Sequence, residues 1–218
     1  MISEESEFHR LKAVLRLALQ SANRPPANVF AGGYHVVGLV EFDVGMTAKF
    51  WSFIRDLAKT SSDRNVFVVA LEPDAEQYFR KRFGKYGAIR LSVTDDGTRY
   101  LDALGEYPDE SPADSLRFNS EFLVWLSDTG SWVAWGSRGF SFVAVAFRNG
   151  FSANINELAA KAGVRIHETE SAISDLIIPS FVDDNVAAQN FATEFRKNYA
   201  VNKDKKATEK KGDRKGTP

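Results

Sequence analysis

Three apolar runs in the second half of the chain, separated by two four-residue loops that contain glycine, constrain the fold most. FLVWLS (122–127) is followed by DTGS, WVAW (132–135) by GSRG, and FSFVAVAF (140–147) completes the set. Strand-length runs joined by such loops are the signature of an antiparallel meander. Side chains alternate along a strand, so Trp132 and Ala134 face one side and Val133 and Trp135 the other. One tryptophan is expected in a core, and its partner on the opposite face, under a helix or partly exposed. The glycines of GSRG are expected to supply the positive φ of a tight turn, with Arg138 at its tip. The loop lacks the spacing of a G-x-S-x-G nucleophile elbow and of a phosphate loop. It reads as a hairpin turn, and Trp132, Trp135 and Arg138 are candidate partner contacts.

The first half alternates between helical and strand patterns. Residues 4–20 carry Phe8, Leu11, Leu15, Ala18 and Leu19 on one helical face, with Ser3 as the expected cap. VVGLVEF (36–42) reads as a strand weakened by Gly38. Residues 47–59 return to helical spacing, and NVFVVAL (65–71) is a continuous apolar run, as in a strand buried on both faces. Pro73 is expected to open a helix that stops at Gly84. AIRLSV (88–93) reads as a strand and residues 97–105 as a short helix. After the meander come a capped helix at 154–163, with Asn154 before it and Gly163 as its stop, a short strand in GVRIHETE, and a final helix over 183–200 bearing Ala187, Phe191, Phe195 and Tyr199. These patterns predict an α+β fold, a mixed sheet with a three-stranded antiparallel meander flanked by helices. A three-layer α/β sandwich is the alternative.

Charge and composition narrow the function classes. The chain has 218 residues and no cysteine, which excludes disulfides, Cys-bound zinc and cysteine nucleophiles. No apolar run reaches the roughly 20 residues needed to span a bilayer, and the acidic start lacks a secretory pattern, so a cytoplasmic protein is expected. Residues 201–218 carry seven Lys/Arg and three Asp/Glu; that +4, set against a net charge of −1, leaves about −5 on residues 1–200. A single domain over 1–200 and a disordered basic tail are expected.

Four stretches could carry chemistry. ALEPD (70–74) puts Glu72 at the end of a strand, where nucleotide-binding folds hold a ribose, but no glycine-rich loop follows an earlier strand. FRKRFGKYGAIR (79–90) has five basic residues and three aromatics, a composition that resembles nucleic-acid binders, yet its charges also suit a helix C-terminus. The segment 94–114 holds seven carboxylates and one arginine. Exposed, it would repel nucleic acid and attract a basic protein, with Asp102, Glu106, Asp109 and Glu110 as candidate contacts. His9, His35 and His167 have no metal-type spacing; no metal or cofactor is expected.

The meander carries a resemblance. A hydrophobic strand, FLVWLS, a polar loop, and then W-x-x-W-G-x-R (Trp132, Trp135, Gly136, Arg138) is similar to some immunity-type proteins of bacterial polymorphic-toxin and contact-dependent inhibition systems. It covers roughly residues 107–147. Membership would imply a cytoplasmic, non-catalytic protein that binds and neutralises a toxin domain; the family has no catalytic residues to transfer. The leading expectation is therefore a binding protein with a protein partner and no membrane or nucleic-acid partner. An α/β enzyme or nucleotide or small-molecule binder with Glu72 near the ligand is the alternative. An RNA-associated role for the tail is a third.

Overall fold

A computed structural model describes residues 1–20, 23–108 and 111–201. Asp109, Glu110 and the basic tail from residue 202 lie outside the described residues. The helices are α1 (Glu5–Ala18), α2 (Ala48–Thr60), α3 (Gly97–Gly105), α4 (Ile155–Ala162) and α5 (Asn185–Asn198), with short π-helical, 3-10 and one-turn segments between them. The strands are β1 (Tyr34–Glu41), β2 (Asn65–Glu72), β3 (Ala88–Ser92), β4 (Phe122–Ser127), β5 (Trp132–Ser137) and β6 (Phe142–Arg148).

The six strands form one sheet in the order β1-β6-β5-β4-β2-β3. The α+β class is the architecture, and the meander β4-β5-β6 is its centre. The sheet is larger than those three strands, and every pairing is antiparallel where a mixed sheet was expected. Helices cover both faces. One core packs Phe50, Trp51, Phe53, Ile54 and Leu57 of α2 and Tyr100 of α3 against Trp125, Trp132 and Val143 of the sheet. The other packs Phe8 and Leu11 of α1 and Phe191, Phe195 and Tyr199 against Trp135, Phe142 and Ala144. This double cover explains the continuous apolar runs: all six residues of β4 and all six of β5 are buried. The layering is that of the three-layer alternative, but its α/β form rests on parallel crossovers that this sheet lacks.

The two outer strands are each closed by one bridge. Ile2 donates its N–H to Ala88 O at 2.7 Å and accepts from Tyr86 N at 2.8 Å, beside β3. His167 and Leu39 exchange both backbone hydrogen bonds, at 2.7 and 3.1 Å, beside β1. Short covers of this kind occupy edge N–H and C=O groups that would otherwise be open to another chain. The expected strand in GVRIHETE is therefore this single bridge. Gly38 makes the approach possible, because a Cβ there would stand 2.6 Å from Ile166 Cγ2. The β1 register shifts at that same place, between Val36 and Gly38.

Other local expectations are refined. Asp74, not Pro73, sets the helix start: its Oδ1 accepts from Glu76 N at 2.9 Å and Gln77 N at 2.6 Å. The segment that follows is π-helical over Ala75–Arg80, adds one α turn, and stops at Gly84 with φ 72°. The N-cap of α1 is Glu4, without a side-chain cap bond, rather than Ser3. Asn154 does cap α4, accepting from Glu157 N, and Gly163 ends it in the left-handed conformation.

Candidate functional site

The WGSRG stretch is not all turn. Gly136 and Ser137 belong to β5, and the loop is residues 138–141. The positive φ there falls on Ser141 (57°), not on either glycine. Gly136 answers to packing: a Cβ would sit 3.0 Å from Trp125 Cζ3 and 3.1 Å from Phe42. Trp132 and Trp135 face opposite cores, as alternation requires, and both are fully buried. Neither belongs to the exposed surface, so the candidate contacts at these two positions are corrected. They are buried because helices cover both sides of β5. Arg138 is half-buried and turned back on the protein. Its Nε donates to Ser120 O at 3.0 Å, its Nη2 to Arg117 O at 2.7 Å, and its guanidinium lies 4.9 Å from the Phe42 ring centre. It fastens the β5-β6 turn to the segment before β4.

The acidic stretch is largely consumed by structure. Asp95 accepts from Ser92 N at 2.8 Å, and Asp96 caps α3 through Arg99 N at 2.8 Å. Glu106 pairs with the Met1 amino group and, at 3.5 Å, with Lys85. Partial burial alone would raise its pKa, but the two cations outweigh burial and hold it below the usual carboxylate range. Asp114 is buried and accepts from Tyr78 Oη at 2.8 Å, Asn119 Nδ2 at 2.6 Å and Ser111 Oγ. Asp102 remains exposed on α3. The basic stretch stays exposed but makes local contacts: Arg82 donates to Tyr78 Oη at 2.8 Å, Arg90 pairs with Glu7 at 2.7 Å, and Arg80 donates to Gly84 O.

Two residues that the pattern did not single out stand out here. Tyr107 is 50% exposed, just after α3, and Phe118 is 67% exposed, on the one-turn helix whose Asn119 donates to Asp114. The Arg117 guanidinium lies 5.8 Å from the Phe118 ring, and the one-turn helix Leu116–Asn119 packs against α3. Asp102 lies on α3, Tyr107 just past its end and Phe118 on the one-turn helix packed against it. The only signal of Tyr107 and Phe118 in the sequence is an aromatic isolated among polar residues, without helical or strand periodicity.

Glu72 ends β2 and is exposed, its Oε2 3.8 Å from Arg24 Nη2, while Arg24 lies over Phe122 at 4.8 Å. His167 lines a cleft of about 280 Å³ with Glu41, Val44, Arg165, Asp175 and Leu176. The imidazole is 5% exposed, and its Nδ1 lies 3.6 Å from Asp175 Oδ2 without a hydrogen-bond partner. Burial, and then the Arg165 charge, hold its pKa below the ordinary histidine value against the opposite pull of Asp175 and Glu41. Among the described residues no group of three or more His, Asp or Glu side chains is placed to hold a metal ion.

A second buried acid, Asp63, is saturated with donors. Ser127 Oγ, Thr129 N and Thr129 Oγ1 donate to Oδ1 at 2.8, 3.1 and 2.7 Å, while Trp132 Nε1 and Ser61 Oγ donate to Oδ2. This node joins the α2-β2 connection to the β4-β5 turn and reads as structural. Among the described residues no helix is long and apolar enough to cross a membrane. No family model, curated protein or solved structure matches the chain.

Proposed function

We propose that this chain is a non-catalytic protein-binding module whose contact surface is built on α3 and the segment after it, with Asp102, Tyr107 and Phe118 as principal contacts. The observation that carries this reading is the exposure of two large aromatics, Tyr107 just after α3 and Phe118 on a one-turn helix whose Asn119 donates to the buried Asp114. Aromatic side chains are the commonest anchors of protein interfaces, and a backbone ordered beforehand loses less entropy on association. Asp102 adds exposed negative charge, which suits a basic partner and speeds encounter at low salt. The immunity-type resemblance of the meander supports one occupant, a basic toxin domain met in the cytoplasm. In that role the protein would bind the toxin and block it without chemistry of its own.

The test is affinity capture from native lysate with three baits: the unaltered chain, Tyr107→Ala/Phe118→Ala, and Asp102→Lys. The reading expects one stoichiometric protein that is weakened by salt, lost from the double variant and reduced by the charge reversal. A partner held equally by all three baits would place the interface elsewhere.

A further inference from the structure

β6 leaves the sheet through a turn at residues 148–151. Phe151 N donates to Arg148 O at 3.0 Å, and Gly150 has φ 89°, as the third residue of a type II turn requires. The two central residues are Asn149 and Gly150, the one place in the sequence where glycine follows asparagine. Both are exposed. Among the described residues the Asn149 side-chain amide makes no hydrogen bond, and neither does the Gly150 N–H. A Cβ added at Gly150 would meet nothing within 4 Å, so the space around this peptide is open.

An asparagine amide is a weak electrophile, and the backbone nitrogen of the next residue can reach it by closing a five-membered ring. A following glycine leaves that nitrogen unhindered and free to rotate, because it has no Cβ. The chain offers instructive contrasts. Asp96 and Gly97 form a similar pair, but Asp96 Oδ1 caps α3 by accepting from Arg99 N at 2.8 Å. Gly97 also packs so tightly that a Cβ would stand 2.6 Å from Ala48 Cβ. Asn119 donates its amide to Asp114 at 2.6 Å and precedes a buried Ser120. Asn154 caps α4 and precedes the branched Ile155. Of these four, only Asn149 has both reacting groups uncommitted.

We propose that Asn149 is a site of spontaneous deamidation through a succinimide, with water as the co-reactant. The Gly150 nitrogen gives its proton to solvent and bonds to Asn149 Cγ. The Cγ–Nδ2 bond breaks, and Nδ2 takes up a proton and leaves as ammonia. Water then opens one of the two imide carbonyls. One opening gives aspartate; the other gives isoaspartate, whose main chain runs through Cβ and Cγ. A closed type II turn does not aim the nitrogen at Cγ, so the turn opens first, which an exposed turn does at little cost. Either product adds a negative charge. The isoaspartyl form also lengthens the backbone inside the turn and so loosens the Phe151 N–H bond to Arg148 O. The reaction makes no use of the α3 surface, so its failure would leave the proposed function standing.

The experiment holds the purified full chain at pH 8 for several days, folded and, in parallel, unfolded in guanidinium chloride. Trypsin then releases residues 149–161, which contain Asn149, Asn154 and Asn156. Fragment masses locate each conversion of amide to acid, and a zero-time sample corrects for conversion during digestion. In the folded chain Asn149 should convert within about tenfold of its unfolded rate, because exposed turns open at nearly zero free energy. It should outrun Asn154 and Asn156. The converted peptide should separate into two species of equal mass, aspartyl and isoaspartyl. A folded rate below that range, conversion at Asn154 or Asn156 as fast as at Asn149, or an aspartyl product alone would overturn the proposal.

Discussion

Trp132 Nε1 donates to Asp63 Oδ2 at 3.2 Å, joining the central strand of the meander to the loop before β2. The same carboxyl group accepts from Ser61, Ser127 and Thr129, so one buried side chain satisfies donors from the α2-β2 connection and from the β4-β5 hairpin. Asp63→Ala would leave those donors buried without an acceptor. The expected loss is about 3 kcal/mol, since each stranded buried group costs roughly 1–3 kcal/mol and some relax to water. Urea unfolding measures it; a loss below about 1 kcal/mol would show that the node is dispensable.

Gly136 and Gly139 separate packing from turn geometry. Gly136→Ala drives a methyl into Trp125 and Phe42 and should cost about 1–3 kcal/mol through overpacking. Gly139→Ala meets the carboxylate end of Glu121 at 2.8 Å, a flexible group that can move, and should cost less. Thermal melts of the two variants rank them; the reverse order would return the glycine requirement to the turn.

This pair also shows why part of the fold was legible and part was not. The meander could be read because both of its faces are buried, which turns β4 and β5 into unbroken apolar runs between polar loops. The opposite facing of Trp132 and Trp135 followed from strand alternation. Full burial of both did not, because the second covering layer comes from helices distant in sequence. A glycine signals either positive φ or close approach, and the pattern alone cannot separate them; Gly136 proved to be the second kind. Arg138 looked like a free tip because its acceptors are the carbonyls of Arg117 and Ser120, which the local sequence does not place beside it. The His167 cleft draws residues from positions 41 to 176, so no local spacing announces it. Tyr107 and Phe118 carry no periodicity, which is the usual condition of an exposed aromatic.

Gly38 tests the closure of the β1 edge. A methyl at 2.6 Å from Ile166 Cγ2 requires either that side chain or the 164–167 backbone to shift, and the backbone carries the bridge to Leu39. Gly38→Ala should therefore weaken the Leu39–His167 bridge. Hydrogen exchange at the Leu39 amide, which donates to His167 O, should quicken while the amides of β4 and β5 stay protected. Unchanged protection at Leu39 would show that Ile166 yields instead.

His167 gives stability a dependence on pH with a definite sign. Burial holds its folded pKa below the ordinary histidine value of 6.5, so the unfolded chain binds the proton more readily. The contribution is complete above that value and declines as pH falls through it toward the folded pKa. Asp175 and Glu41 oppose the decline, while burial and Arg165 drive it. Urea midpoints at pH 7.5 and 5.5 should fall more for the unaltered chain than for His167→Gln. Equal falls would mean that the imidazole is as easily protonated in the folded protein as in the unfolded one.

The central claim is that Tyr107 and Phe118 anchor a protein partner. The most direct measurement is the calorimetric affinity of the captured partner for the unaltered chain and for Tyr107→Ala/Phe118→Ala, both confirmed folded by circular dichroism. Loss of two exposed anchors should weaken binding at least about tenfold, as expected for interface hot spots, with little change in melting temperature. An affinity unchanged within error would contradict the account and move the interface away from α3.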